Sequence, residues 1–360
     1  MFIDFEVYPV CVPVIEPCIS SIGRYNHTIR SIIKIISKDC VGWGETYGDY
    51  AIPTIISILG ELQNKPINIE AINKRIIHHR DFGVLNTSAS INNQSLLAIR
   101  MALIDLVGKI HRIPAYQLLN PSLETPNPIV KCSLYSYAID GTPQEMADHI
   151  QTLLQKYPSD YVEFKIGVHG VAYDIEATKK VAEVIGSAKL AVDVNMGYTM
   201  DEAHEYLCEV RELIDIIEEP VPCIYDMNQL AKEFWMKIST HCTQKNILDK
   251  TPFIHASVPD IHLDYKLNNG KPFWLRSCLE LGISHAMMCH TSIAFPSSRA
   301  NQSLLHLVED DLCKTSNIER CTNGFKVNPC YGLGVNIDQT KLKKYFITYN
   351  NMRERPNYYM

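Results

Sequence analysis

No stretch of 18 consecutive apolar residues occurs in this 360-residue chain, so a membrane-spanning helix is not expected. The opening "MFIDFEVYPVCVPVIEP" has no basic segment ahead of an apolar one, and Asp4 and Glu6 interrupt it early. It does not read as a secretory leader, and the expected location is cytoplasmic. None of the twelve cysteines stands in a C-x-x-C pair, which removes zinc-finger and thioredoxin-like readings. They are expected as reduced, mostly buried thiols. No block of like charge appears and the formal net charge is −6, so neither nucleic acid nor an anionic membrane is the expected partner. A G-x-G-x-x-G fingerprint and a Walker loop are also missing, which argues against an open dinucleotide- or nucleotide-binding sheet.

What is present is the composition of a globular protein, with 46% hydrophobic and 21% charged residues. The length suits one large barrel with a smaller domain, or two to three ordinary domains. Residues 1–50 read as strands, with "TIRSIIKIIS" rich in β-branched residues and "KDCVGWGETYGD" supplying a turn and a short strand. Between about 51 and 119 the period becomes helical, most clearly in "SLLAIRMALIDLVGKI", where Leu97, Met101, Ile104 and Gly108 share one face. "NPSLETPNP", at 120–128, holds three prolines and reads as a linker.

Beyond the linker, strand-like and helix-like stretches alternate, as in a parallel sheet. The candidate strand ends carry Lys165, Asp193, Glu218, His241, Asp264, His290 and Glu319, at intervals of 28, 25, 23, 23, 26 and 29 residues. That repeat approximates a βα unit. A (β/α)8 barrel collects its C-terminal strand ends at one mouth, where its chemistry sits, so a barrel is expected over 126–322.

The stretch "LAVDVNMG" sets the central question, because Asp193 interrupts an otherwise buried strand. Such a carboxylate is paired, metal-bound, or at an open strand end capping the next helix. With Glu218 and His241 on the following strands, two carboxylates come close and need a cation between them. An oxygen-rich site suits Mg²⁺, while the imidazole also tolerates Mn²⁺, Fe²⁺ or Zn²⁺. In "IIEEPV" only one of Glu218 and Glu219 can face the mouth, and Glu218 is the first choice. Lys165 on one side and a His290–Asp264 pair on the other would flank the cation as bases, with His285 as the rival to His290. Two bases around a divalent cation suit removal of the proton next to a carboxylate.

These residues resemble the enolase superfamily, in the mandelate racemase-like subgroup that includes glucarate dehydratases. "VGWGETYG" resembles its G-x-G-E segment, "AIRMALIDLVGKIHRIPAYQLL" its long helix, and "VEFKIG" its K-x-K strand. "VDVNMG", "IEEPV" and "YGLGVNID" resemble its D-x-N, E-E-P and returning G-L-G-V stretches. The resemblance implies an α/β fold: a modified TIM barrel over 126–322, an N-terminal α+β capping domain over 1–122, and residues 323–360 completing the cap. It also implies a division of labour at the matching positions: Asp193, Glu218 and His241 as metal ligands, Lys165 as a base, Asp264 and His290 as a dyad, and Glu319 as the last strand's polar group. Asn195 would lie near the lysine or substrate, and the cap loops 15–28 and 45–50, with Arg24 and Tyr47, would select the substrate.

Three features depart from that pattern. In "GISHAMMCH" His290 stands eight residues after Gly282, about two more than the family's common spacing, which makes His285 a rival. Glu163 replaces the first lysine of K-x-K, which in the family contacts the substrate carboxylate, and a carboxylate there is expected to keep Lys165 protonated. His241 stands where an acid or amide is usual. The reading that follows is a Mg²⁺- or Mn²⁺-dependent sugar-acid dehydratase with His290 as base, acting through an enediolate to give a 2-keto-3-deoxy acid. A racemase or epimerase on the same scaffold, a catalytically lapsed metal-binding homologue, and a metal-dependent hydrolase are the alternatives. A small carboxylate is the expected ligand and a homo-oligomer the expected assembly.

Overall fold

The computed structural model describes residues 2–63, 91–242, 245–259 and 272–353. Three antiparallel strands come first: β1 (Asp4–Ser20), β2 (Gly23–Ser37) and β3 (Cys40–Tyr47). Two helices follow, α1 (Ile52–Gln63) and α2 (Ile91–His111), and then the short α3 (Ala115–Leu119). The two glycines of "VGWGE" explain how β3 lies against α2. A Cβ at Gly42 would stand 2.1 Å from the Ala102 carbonyl oxygen, and one at Gly44 would stand 2.2 Å from that of Ala98. Larger residues would push the strand off the helix.

Strand β4 (Ile129–Lys131) precedes the barrel in the chain and joins a small sheet completed by two strands from beyond the barrel. The barrel strands are β5 (Leu134–Ser136), β6 (Tyr161–Lys165), β7 (Lys189–Asp193), β8 (Ile216–Glu218), β9 (Lys237–Thr240), β10 (Ile254–Pro259) and β11 (Phe273–Arg276). They form one parallel sheet in chain order. Helices α4 (Pro143–Lys156), α5 (Val171–Val184), α6 (Met200–Val210) and α7 (Ile224–Phe234) connect its early strands. Thr142 with Glu145, and Thr199 with Glu202, close capping boxes that start α4 and α6. A helical turn, α8 (Lys245–Leu248), lies before β10.

Residues 301–303 fill the eighth position between β11 and β5. Gln302 N–H donates to the Leu275 carbonyl at 2.8 Å, and Ser133 N–H donates to that of Asn301 at 2.7 Å. Ahead of that segment runs α9 (Gly282–Ala294). This corrects the expected strand in "ISHAMMCHTS". Twelve of the thirteen residues of α9 are buried, so it is enclosed on nearly every side and shows no one-sided helical stripe. The seventh strand is "FWLR", ending at Arg276.

The chain then forms β12 (Cys313–Ser316), β13 (Ile318–Cys321), β14 (Gly324–Val327), β15 (Val335–Ile337) and α10 (Gln339–Arg353). Strand β12 pairs with β15, and α10 packs along β1. Asp105 on α2 accepts from Trp43 N–H at 2.9 Å, from Leu333 N–H at 2.8 Å and from Lys109 at 2.6 Å, joining cap strand, cap helix and returning segment. None of the helices among the described residues is long and apolar enough to cross a membrane.

Glu45 joins the cap to the barrel. Its carboxylate accepts from Arg30 Nε at 2.7 Å, Leu281 N–H at 2.8 Å and Ser284 N–H at 2.9 Å. It therefore satisfies amides at the start of α9 that the helix itself leaves open. Glu45 is fully buried, and removing it strands the Arg30 charge. Glu45→Ala is expected to lower the unfolding free energy by about 3–5 kcal/mol, measured by urea denaturation at pH 7; an unchanged midpoint would contradict this role.

Candidate active site at the barrel mouth

Strand register places the first three polar ends side by side. Lys165 on β6 lies level with Asp193 on β7, and Asp193 lies level with Glu218 on β8. Alternation turns Glu163 and Lys165 to the same side of β6. Deeper on that side, Ala191, Ile216 and Trp274 pack together and fill the barrel.

Asp193 is buried and fully engaged. The Lys165 ammonium donates to its Oδ2 at 2.6 Å, Tyr135 Oη donates to the same atom at 2.8 Å, and Asn195 N–H donates to Oδ1 at 2.9 Å. Burial pushes its carboxyl up, but the nearby Lys165 and His241 charges and the hydrogen bonds from Lys165 and Tyr135 bring it below the ordinary carboxylate range. Lys165 Nζ also donates to the Asn195 side-chain carbonyl. Asn195 adopts a left-handed backbone (φ 49°) that turns the chain back over the lysine.

Glu218 is buried and lies 3.5 Å from His241 Nε2. Glu219 points elsewhere, accepting from Thr240 Oγ1 at 2.7 Å and His241 N–H at 2.5 Å, and so fixes the turn that presents His241. Asp193, Glu218 and His241 thus occupy neighbouring strand ends. Among the described residues, however, no three His, Cys, Asp or Glu side chains are grouped to hold a metal ion as they stand. The Lys165 ammonium takes Asp193, and Gln302 Nε2 reaches Glu163 at 2.8 Å and Glu218 at 3.3 Å.

Several sequence expectations fall elsewhere. His290 is on α9, where its ring stacks on Tyr116, accepts from Tyr116 N–H at 3.3 Å and contacts the Leu333 carbonyl. Burial holds it down at about 4, so it is a neutral packing residue between helix and returning segment. His285, one turn earlier, packs edge-on against Phe325 and is held down at about 3, by burial first and then by Arg320. Counting His290 as a strand end carried the next interval to Glu319, which is exposed on β13 opposite Lys326. The eighth-strand polar group is Gln302. Asp264 lies outside the described residues.

Glu163 is also not where a substrate would meet it. It is wholly buried beneath the mouth, bonded to Gln302 and 4.0 Å from Arg299. Burial, against the opposing charge of Arg299, pushes its carboxyl up to about 8, and Glu218 and Asp193 add to the rise. A neutral acid does not hold a proton on Lys165, contrary to the expectation from charge alone. Arg24 is exposed and pairs with Asp140 at 2.5 Å on the rim, and Tyr47 is half exposed under the Arg30 guanidinium. The β1–β2 tip does reach the mouth: Ser21 Oγ donates to the Val194 and Asn195 carbonyls at 2.8 and 3.1 Å. Ser21, Tyr135, Arg276 and Gln302 were not singled out from sequence. "FWLR" alone carried a signal, a strand-like run ending in an ionisable residue.

Residues 145–263 match the family model described as enolase C-terminal domain-like. The match covers part of the barrel and none of the cap. A hydrophobic dipeptide epimerase of Citrifermentans bemidjiense is 23% identical over 239 residues, a match spanning 62% of this chain and 62% of that protein's length. Among solved structures, a Gibberella zeae enolase complexed with magnesium, formate and sulfate superposes with a TM-score of 0.83 at 21% identity, covering 97% of this chain and 91% of the other. The substrate-liganded L-Ala-D/L-Glu epimerase of Bacillus subtilis gives 0.78 at 19% identity, covering 93% and 99%. These superpositions show the same fold, a barrel with a strand-rich cap.

Glu163 makes a pH prediction. Its folded pKa is raised, so the folded chain binds more protons than the unfolded one between the ordinary Glu range and about 8. Its contribution to stability is present at low pH and lost as pH rises through that window. Glu163→Gln should therefore gain melting temperature relative to wild type between pH 5 and 8, and parallel melting curves across that range would refute the assignment.

Proposed function

We propose that this protein is a member of the enolase superfamily and a metal-dependent racemase or epimerase of an amino-acid derivative, acting by removal of the proton next to a carboxylate. The observation that carries the reading is Lys165, an amine at a barrel strand end, held by Asp193 and Asn195 beside the Glu218–His241 pair. The two epimerases that share sequence or fold with the chain support this over the sugar-acid dehydratase, whose base, His290, is packed inside α9.

Lys165 is the proton acceptor in this reading. Asp193 and Asn195 orient its Nζ, and Tyr135 steadies Asp193 from the other side. Glu163, neutral below about pH 8, adds no negative charge that would oppose loss of the lysine proton. Asp193, Glu218 and His241 fit a divalent cation in kind and place: two buried carboxylates and an imidazole on successive strand ends. These three would hold it, and when bound it would supply the positive charge that stabilises an enediolate. The magnesium in the Gibberella zeae structure supports that choice of metal. Inversion requires a second proton carrier on the opposite face, and none of His285, His290 and Glu319 stands there.

The test is incubation with Mg²⁺ and N-acylated amino acids or dipeptides in D₂O, read by mass spectrometry. Gain of one dalton without loss of water is expected, and Lys165→Met should slow it by roughly 10²–10⁴-fold. Loss of water from a sugar acid would instead establish the dehydratase. No exchange on any acid, with Mg²⁺ still bound, would leave a lapsed homologue.

A further inference from the structure

Arg276 is a half-buried cation that the chemistry above does not use. It ends β11, two residues beyond Trp274, which points into the barrel against Ala191 and Ile216. Alternation therefore turns Arg276 to the same side, one step nearer the mouth. Its Nε is out of contact with solvent and bonds to none of the described residues, and no ion pair within 4.0 Å is found for its guanidinium among them.

Arg30 in the cap has Glu45 as its counter-charge at 2.7 Å. Arg299 lies deeper in the barrel, stacked over Trp274 and 4.0 Å from Glu163, with no hydrogen bond from its guanidinium to the described residues. An arginine cannot shed its proton to escape burial. A guanidinium nitrogen shut off from water and left without a partner among the described residues is costly, so a mouth-facing arginine that keeps one is suited to an anion arriving from outside. We infer that Arg276 forms a subsite for a second carboxylate of the substrate, remote from the carbon that reacts. The inference rests on the proton-abstraction reading for which end of the substrate lies where.

The reacting end belongs over β6 to β9, where Lys165, Asp193, Glu218 and His241 sit. Arg276 is on the far side of β10, so the group it meets is a different one. The planar guanidinium accepts a carboxylate through two parallel hydrogen bonds, which an amide of the same shape cannot reproduce. Burial opposes the charge on Arg276, but the fields of Cys278, Glu218, Glu219 and Asp193 more than restore it, so it remains a cation. The ligand class is thus an acid with two carboxylates, one at the reacting carbon and one at the far end.

N-acetyl-L-glutamate and N-acetyl-L-glutamine test this directly, because they differ only in a terminal carboxylate against an amide. Calorimetry on the full chain with Mg²⁺ should show the glutamate probe bound at least tenfold more tightly. Arg276→Gln should erase that preference and leave the glutamine probe within about twofold, while Arg276→Lys keeps part of it. Absence of a preference in the wild type, including failure to bind either probe, overturns the subsite. Equal weakening of both probes in Arg276→Gln also overturns it, and makes Arg276 a residue that merely offsets the neighbouring acids. Deuterium incorporation at the α-carbon is scored separately. Preference without exchange would leave the subsite standing and remove the racemase reading, and exchange without preference would do the reverse.

Discussion

The contact between Lys165 and Asp193 organises the barrel mouth. Two opposite charges at level positions on adjacent parallel strands neutralise each other where water is largely shut out. Neither could stay charged there alone, because the cost of burying an isolated ion exceeds what one strand contributes. Tyr135, Asn195 and His241 are then arranged around that pair: a donor to Asp193, an acceptor for Lys165, and a second positive influence on the carboxylate. The same ion pair occupies Asp193 so that the acids and imidazole nearby do not form a closed metal cage as they stand.

Below the mouth, the barrel carries a second polar layer rather than a purely apolar plug. Arg299 faces Glu163, Glu163 meets Gln302, and Gln302 reaches Glu218. This layer rests on Trp274 and connects the closing segment 301–303 to the strand ends that bear the chemistry. A change at Gln302 would therefore be felt both in barrel closure and in the setting of Glu218. The cap is fastened by equally specific means: Glu45 holds the start of α9, and Ser21 holds the loop after β7. The two segments expected to select substrate thus differ in kind. The β1–β2 tip touches the mouth, whereas Glu45 is a structural tie.

Much of this arrangement was legible in the residues. The βα spacing that ends in Lys165, Asp193, Glu218 and His241 survives as four neighbouring strand ends, because those strands are short and apolar and the first three are each followed by a helix of 11 to 14 residues. The reading slipped where those signals stop. Helix α9 is buried on nearly every side, so its sequence has no polar face, and His290 passed for a strand end. One misplaced element then displaced the next, taking the count to Glu319 instead of Gln302.

Sequence by itself determined the alternation of elements, the close approach of β3 to α2 through Gly42 and Gly44, and the placing of opposite charges at successive strand ends. These follow from local period, glycine sterics and chain length, each of which is written in neighbouring residues. Only the tertiary structure decided which charges are paired, which are neutral and which are left over. Whether Glu163 is ionised, whether His290 meets solvent, and whether Arg276 has a partner all depend on groups tens to hundreds of residues away. Burial and charge are properties of the assembled site, and a linear pattern does not contain them.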